Sequence, residues 1–271
     1  MEEGRPSATA EGAALLRAAH QILDEPRVLD DPLALRILGA KRESMRRADA
    51  QPLEAHELRA LRAFVVMRSR YAEDRLREAV GRGVRQYVLL GAGLDTFAYR
   101  NPHPDLRVFE VDHAATQAWK RERLRDAGIA MPSSVTFVAA DFERQTLADV
   151  LGSTDLDRVR PTFFSWLGVT VYLSRHAVME TLRFVASATA AGSEIVFSFA
   201  VSPSPLAEHT AALGEPWRTF FDPPALAEEL RRIGFGGVET LGPEEANRRY
   251  FANRADGLRV AGSGHLMAAR V

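Results

Sequence analysis

Cysteine is absent from the 271-residue sequence. Its absence excludes disulfide bonds, thiolate metal sites and cysteine nucleophiles, and therefore a disulfide-dependent secreted scaffold. No apolar run approaches the roughly 20 residues that a membrane-spanning helix needs. The polar, acidic start of the chain, Met1 to Ala10, also lacks the apolar core of a signal peptide. We therefore expect a cytoplasmic protein that does not associate with a membrane.

Neither sign of charge dominates the sequence. It contains 35 Lys and Arg residues against 36 Asp and Glu residues, which gives a net charge of −1. A general grip on nucleic acid needs an excess of basic residues, so we expect no nucleic-acid partner. No grouping of oxygen ligands indicates a metal site, and we predict none. The sequence does not indicate an oligomeric state.

The first third of the chain is predicted to be helical. Apolar residues recur at helical spacing over Ala13–Leu23 and over Leu53–Val80, and Gly81 and Gly83 are expected to end the second of these helices. Leu33–Leu38 is predicted as a further helix, because Pro32 suits a first turn and Asp31 can cap it.

Five short apolar runs rich in strand-forming residues follow, and helix-like segments alternate with them. The predicted strands are 86–90, 107–111, 135–139, 161–166 continued by 169–171, and 194–199. The predicted helices are 114–127, 145–151 and 175–191. A helix over 224–233 and strands over 237–241 and 266–271 are predicted after the polar, aromatic stretch 203–221. Such alternation indicates a parallel sheet with helices on both faces.

The predicted fold is therefore α/β, with a Rossmann-like, mostly parallel sheet. We expect one domain over residues 1–271. In it, 1–84 form a helical N-terminal cover, 85–200 a cofactor-binding core, and 201–271 an acceptor-side segment with the last strands. A length of 271 residues also permits two modest domains, but no linker or internal repeat is visible.

The loop Gly91-Ala92-Gly93-Leu94-Asp95 directly follows the first predicted strand. A strand, a glycine-rich turn and a helix form a nucleotide-binding arrangement, with the ligand beyond the carboxyl ends of the strands. Thr96 stands where a dinucleotide fingerprint has its third glycine, which favours a ligand without a pyrophosphate. The alternative is a tight strand-to-helix turn that binds nothing.

Acidic residues end the next two strands. Asp112 lies 21 residues after Gly91, where an acid can accept hydrogen bonds from ribose hydroxyls. Asp141, followed by Phe142, could bind an adenine amino group and cover the ring. Each acid could instead cap the helix that follows it.

These segments resemble the leucine carboxyl methyltransferase family, which includes bacterial O-methyltransferases of small acids. The most specific matches are Gln86–Arg100 and Phe109-Glu-Val-Asp-His113 with Lys120. Further matches are Arg17-Ala18, Asp31-Pro32, Arg68–Tyr71, Trp166–Leu173, Gly214-Glu-Pro-Trp217, Gly234-Phe235 and Arg249-Tyr250, so the resemblance covers most of the chain.

The resemblance implies a class I methyltransferase fold with S-adenosyl-L-methionine as cofactor. It assigns cofactor contacts to Gly91, Ala92, Gly93 and Asp95 in the loop, to Asp112 with Glu110 at the ribose, to Asp141 and Phe142 at adenine, and to Arg68 and Arg17 at the methionine carboxylate. One departure matters: Leu167 stands where the family often has a Glu that contacts the amino end of the cofactor.

Orientation of the acceptor is predicted for Tyr172, which follows the fourth strand, and for Arg68, whose guanidinium matches a carboxylate. Further candidates are Arg70, Tyr71, Arg249, Tyr250 and Arg254, each of which could instead form a structural ion pair. Trp217, Phe220 and Phe221 could form an apolar acceptor wall or pack against the sheet. No histidine with an acidic partner is recognisable, so no general base is assigned.

We therefore predict an S-adenosylmethionine-dependent O-methyltransferase that acts on a small-molecule acceptor, a carboxylate of an organic or polyketide-type acid. A carboxylate needs no general base, whereas a hydroxyl group would. The alternatives are methylation of an aromatic hydroxyl, cofactor binding without catalysis, and a nicotinamide-dependent reductase, which the missing third glycine disfavours.

Overall fold

The computed structural model describes residues 6–39 and 56–271. A seven-stranded sheet runs through its centre, in the order β3-β2-β1-β4-β5-β7-β6. The strands are β1 Gln86–Leu90, β2 Arg107–Asp112, β3 Val135–Ala139, β4 Thr162–Trp166, β5 Glu194–Ala200, β6 Gly237–Leu241 and β7 Gly264–Arg270. The first five are parallel, and β7 is antiparallel to both of its neighbours. The predicted α/β class and mostly parallel sheet are confirmed.

Helices cover the sheet. Their bounds are α1 Ala8–Leu23, α2 His56–Gly81, α3 Phe97–Arg100, α4 Ala114–Asp126, α5 Leu147–Gly152, α6 Arg175–Ala188, α7 Pro205–Ala212, α8 Pro223–Arg232 and α9 Pro243–Tyr250. Ser7 caps α1 by accepting the Ala10 N–H, and Ser174 caps α6 in the same way. Residues 53–55 of the predicted second helix lie outside the described residues.

Alternate residues of the central strands pack on opposite faces. Val88 and Leu90 of β1 belong to one apolar cluster, with Trp166, and Tyr87 and Leu89 belong to another, under α2. All five residues of β1 are therefore buried, as a strand covered on both faces requires. The chain runs from β1 outward to β3 and then crosses back to β4. The switch point between β1 and β4, where ligands bind in such sheets, therefore lies at their carboxyl ends.

Two predicted elements are wrong. Residues 33–38 form a succession of turns instead of a helix. The Asp31 carboxylate accepts the Leu33 N–H at the start of this segment, as a helix cap would. Thr96 and Arg100 also bind this carboxylate, so the segment is held beside the glycine loop instead of continuing as a helix. Apolar side chains of this segment, Leu33 and Ile37 among them, still pack on α1.

The second error concerns 169–171, predicted as a continuation of the fourth strand. The strand stops at Trp166, and Thr170–Tyr172 form a 3-10 turn. Gly168 turns the chain, with φ +76°. The positive φ favours glycine, and a Cβ atom there would lie 2.5 Å from an Arg68 guanidinium nitrogen and would displace that group.

Two short helices, α7 and α9, occur where none was predicted. Each begins with a proline at its first turn. Across the described ranges, 6–39 and 56–271, no helix combines the length and apolar character needed to cross a bilayer.

Candidate cofactor and acceptor site

The glycine loop turns sharply at the end of β1. Gly91 and Gly93 both have positive φ, +69° and +45°. A Cβ atom on Gly91 would lie 2.3 Å from Cγ2 of Val169, so no other residue fits there without displacing Val169. The N–H groups of Gly91 and Ala92 both donate to the Val111 carbonyl, at 2.7 and 3.2 Å. The loop is thus fixed against the end of β2.

Asp112 binds this loop directly. Its Oδ2 accepts the Gly93 N–H at 2.5 Å, and its Oδ1 accepts the His113 N–H at 2.6 Å. His113, and not Asp112, occupies the N-cap position of α4. Burial raises the pKa of Asp112, and the two N–H donors only partly offset that effect. Each carboxylate oxygen has a further lone pair, so the group can still accept hydrogen bonds from ribose hydroxyls.

Glu110, two residues earlier, lies inside the packed protein. Its side chain is almost fully buried, and its Oε2 accepts the Tyr99 hydroxyl at 2.9 Å and pairs with Lys120 Nζ at 2.8 Å. Its Oε1 has no hydrogen-bond partner among the described residues. Burial raises the pKa of Glu110 against the opposing effects of Lys120 and Tyr99. A ribose contact by Glu110 stays a prediction.

Asp95 ends the loop beneath the carboxyl edge of the sheet. Its Oδ1 accepts the Phe97 N–H at 2.7 Å. Burial raises the pKa of the Asp95 carboxyl, but cations that include Arg17 and Lys120 outweigh it and hold the pKa below its usual value. The carboxylate is therefore ionised at neutral pH.

The two predicted arginines differ in their partners. Arg17 is buried, donates to the Leu94 carbonyl at 2.6 Å and lies 3.6 Å from Asp31. Arg68 is partly exposed and forms no hydrogen bond or ion pair within residues 6–39 and 56–271; its guanidinium rests on Gly168 and near the Phe64 ring. Burial lowers the pKa of Arg68 to about 10, and Arg17 acts in the same direction. Arg68 is still a cation at neutral pH.

Asp141 and Phe142 follow β3. The Asp141 Oδ1 accepts the Glu143 N–H at 3.0 Å within a turn, but the helix that follows, α5, is capped by Thr146, so the capping alternative for Asp141 is wrong. The Phe142 ring is partly buried and lies 5.8 Å from the Trp166 ring. Both residues lie at the carboxyl edge, where an adenine contact stays a prediction.

Tyr172 lies at the end of the 3-10 turn, beside Thr9 of α1 and Trp217. Burial raises the pKa of its hydroxyl, which therefore stays protonated at neutral pH. Leu167 packs against the apolar cluster under α2. Trp217 and Phe220 are half-buried with ring centroids 6.2 Å apart, whereas Phe221 is buried in the core against Phe199.

The remaining candidates for acceptor orientation have structural partners. Arg70 and Tyr250 bind Asp74, Arg254 binds Asp256, and Arg249 lies over the ring of the fully buried Tyr71. The ion pairs of Arg70 and Arg254 are the structural alternative that the sequence left open.

One histidine has an acidic partner that the sequence did not reveal. His20 Nδ1 lies 2.8 Å from Asp24 Oδ2, and Arg62 donates to both Asp24 oxygens at 2.8 Å. The His20 Nε2 accepts the Val28 N–H, and the ring is fully buried. This histidine therefore joins α1 to α2 and cannot receive a proton from a substrate.

Sequence reasoning missed Glu215, which lies 7% exposed beside Thr9 and Tyr172. Its signal was the Gly214-Glu-Pro-Trp217 match, to which no role was given. In the part of the chain that the structure describes, no cluster of three or more His, Cys, Asp or Glu side chains could hold a metal ion.

The strand order, the antiparallel seventh strand and the glycine loop at the switch point define a class I methyltransferase fold. A solved structure from Thermobifida fusca, titled as a methyltransferase, matches it with a TM-score of 0.60 at 21% identity, over 99% of this chain and 96% of that one. A DUF574 family protein from Streptomyces avermitilis matches with a TM-score of 0.56 at 20% identity, over 94% and 96%.

The family model of leucine carboxyl methyltransferases matches residues 10–186, and the chain belongs to this family. YktD of Bacillus subtilis, named for S-adenosyl-L-methionine-dependent methyl transfer, is 32% identical over 95% of both chains. A Frankia alni protein named for the same activity is 36% identical over 69% of this chain and 66% of its own length. The predicted family, fold class and cofactor are confirmed.

Proposed function

We propose that this chain is an S-adenosylmethionine-dependent O-methyltransferase that methylates the carboxylate of a small organic acid. The relatives' names support methyl transfer from this cofactor. The family's own name refers to methylation of a carboxyl group. The carboxylate acceptor and the residue roles below are parts of this proposal.

The observation that carries the proposal is the guanidinium of Arg68. It is a cation at the carboxyl edge that forms no hydrogen bond or ion pair with any described residue, whereas the neighbouring Arg17 is bound to Leu94 and Asp31. A planar guanidinium binds a carboxylate through two parallel hydrogen bonds. Both the methionine end of the cofactor and the proposed acceptor carry such a group.

The residues of the site fit the cofactor. Gly91 and Gly93 leave room for a close ligand, Asp112 offers further lone pairs to the ribose, and Arg68 offers free N–H donors to the methionine carboxylate. When bound, S-adenosylmethionine supplies a methyl group that is already activated. The protein's contribution is therefore to orient the acceptor and to exclude water.

The histidines support a carboxylate acceptor. Within the described part of the chain, His20 is the one histidine paired with an acid, and it is sealed in the core. Tyr172, with its raised pKa, cannot act as a base at neutral pH. A carboxylate is already a nucleophile and needs neither group.

The test is methyl transfer from radiolabelled S-adenosylmethionine to matched panels of small carboxylic acids and phenols. We expect label in products that release methanol on mild base treatment, because methyl esters hydrolyse and aryl methyl ethers do not. Binding of S-adenosylhomocysteine and of NADH is measured by calorimetry on the same protein.

Arg68→Met should reduce cofactor affinity and turnover, whereas Arg70→Met, which removes a partly exposed Arg paired with Asp74, should change neither. Base-stable label would establish a hydroxyl acceptor instead. Cofactor binding with no transfer to either panel would support a binding role without catalysis, and preference for NADH would overturn the proposal.

A further inference from the structure

Glu215 joins two distant parts of the chain at the candidate site. Its carboxylate accepts the backbone N–H groups of Ala8 at 2.9 Å and Thr9 at 3.3 Å, and the hydroxyl group of Ser7 at 3.3 Å. The Thr9 hydroxyl donates to it as well. More than 200 residues separate Glu215 from these donors, so this acid is a tertiary tie to the first turn of α1.

The tied turn covers the glycine loop. A Cβ atom on Gly93 would lie 3.2 Å from Cβ of Ala10, so α1 touches the loop there. The Ser7 N–H donates to the Thr116 hydroxyl of α4 at 3.3 Å. The first turn of α1 therefore lies directly over the loop that is proposed to hold the cofactor.

The segment that carries Glu215 is also bound to the 3-10 turn that carries Tyr172. The Arg218 N–H donates to the Val171 carbonyl at 2.6 Å, and the Thr219 hydroxyl donates to the Leu173 carbonyl. The Tyr172 hydroxyl lies beside Thr9, on the turn that Glu215 holds. One carboxylate thus fixes α1 at the point where the cofactor loop and the acceptor side meet.

We propose that Glu215 is a positioning residue that holds α1 closed over the bound cofactor and sets Tyr172 toward the acceptor. This inference rests on the proposed function of the site. Ser7 already caps α1 through the Ala10 N–H, so the helix has a local cap without Glu215. Capping of α1 therefore does not depend on Glu215. The role proposed for Glu215 is to hold the first turn of α1 over the site.

Asp222 provides a matched control. It is an acid that caps a helix, α8, by accepting the Ala225 N–H at 3.0 Å, and it is exposed. Its removal costs a cap without touching α1, the glycine loop or Tyr172. Glu215→Ala, the isosteric Glu215→Gln and Asp222→Ala are compared with the wild type by stopped-flow dissociation of S-adenosylhomocysteine, by KM and kcat, and by hydrogen exchange of residues 7–10.

We expect Glu215→Ala to speed dissociation of S-adenosylhomocysteine at least tenfold and to raise exchange in residues 7–10. Glu215→Gln keeps two acceptor lone pairs on one oxygen, so its effect should be intermediate and remains measurable if the alanine variant does not fold. Asp222→Ala should leave dissociation and exchange at wild-type values.

Two results would overturn the inference: wild-type dissociation rates in both folded Glu215 variants, or an equal acceleration in Asp222→Ala, which would reveal a general loss of stability. A wild-type protein that binds no S-adenosylhomocysteine would overturn the proposed function itself, and this inference with it. The two failures are therefore distinguishable.

Discussion

The two edges of the sheet treat buried polar groups differently. At the amino edge, the fully buried Glu194 is bound through both oxygens, by Arg75 and by Arg82, each at 2.6 Å. Gln86, at the start of β1, uses both its amide nitrogen and its oxygen on Asp157. All side-chain nitrogen and oxygen atoms of Glu194 and Gln86 therefore have hydrogen-bond partners.

The carboxyl edge is less complete. Apart from Lys120 Nζ, which is paired with Glu110, six buried side-chain nitrogen or oxygen atoms of the described residues lack a hydrogen-bond partner, and five of them lie at or beneath this edge. They belong to Arg17, Glu110, His113, Trp166 and Trp217; the sixth is the Tyr71 hydroxyl. Such groups are rare in native proteins and cost free energy. The amino edge is built for stability, and the carboxyl edge retains unused hydrogen-bonding capacity where a ligand is proposed.

Removing the charge of Glu194 should have the largest effect and should act on stability alone. Glu194→Gln leaves Arg75 and Arg82 without their buried counter-ion, so we expect a loss of about 3–5 kcal/mol in the free energy of unfolding. Urea denaturation measures this loss, and calorimetry should give an unchanged affinity for S-adenosylhomocysteine. As a control, Glu228→Gln breaks only an exposed pair with Arg232 and should cost less than about 1 kcal/mol. A large loss of cofactor affinity in Glu194→Gln would contradict the assignment of stability to the amino edge and of binding to the carboxyl edge.

A methyl group added at Gly91 should act mainly on binding. Gly91→Ala places Cβ 2.3 Å from Val169 and displaces the turn after β4, so we expect affinity to fall by roughly 2–3 kcal/mol. Gly83→Ala is the matched control, since Gly83 also has positive φ, +103°, but nothing lies within 4 Å of its Cβ position. That variant should lose about 1–2 kcal/mol of stability and no affinity. Equal affinities for the two variants would show that the loop does not contact the cofactor.

Asp112→Ala should weaken cofactor binding by roughly 1–3 kcal/mol, the scale of hydrogen bonds to a charged group. It should also free the Gly93 N–H, which Asp112 now accepts. Calorimetry with S-adenosylhomocysteine measures the change, and an unchanged affinity would remove Asp112 from the site.

The smallest predicted effect is a dependence of affinity on pH. Burial raises the pKa of Asp112 above its ordinary value, and protonation replaces an acceptor lone pair with a donor. Affinity should therefore fall as the pH drops through this raised pKa. Asp112→Asn should have a flatter profile over the same range; a wild-type profile in that variant would mean that another group titrates.

Much of the fold could be predicted because its signals are local. The first five strands were located to within about two residues at most ends, since each is a short apolar run. Four of them are buried on both faces of the sheet, and the edge strand β3 is only partly buried. The proximity of Asp112 to the glycine loop could be predicted because Asp112 ends β2, the strand that follows the loop, and parallel strands end at the same edge of the sheet.

The errors have causes that lie elsewhere in the chain. The strand predicted over 169–171 is wrong because Gly168 turns the chain with φ +76°, beside the guanidinium of Arg68, which lies about a hundred residues earlier in the chain. The partner of His20 was overlooked because Asp24 lies one turn later, where the helix has ended. The tie between Glu215 and Thr9 is formed by tertiary packing over more than 200 residues, and no local pattern could indicate it.

The tie between Glu215 and α1 has a consequence for biosynthesis. The chain is synthesised from its N-terminus, so α1 and the glycine loop leave the ribosome well before residue 215. Until then the backbone N–H groups of Ala8 and Thr9 lack the carboxylate that holds them. A nascent chain with a complete glycine loop is therefore expected to lose cofactor quickly, and retention should begin only once the last quarter of the protein has been made.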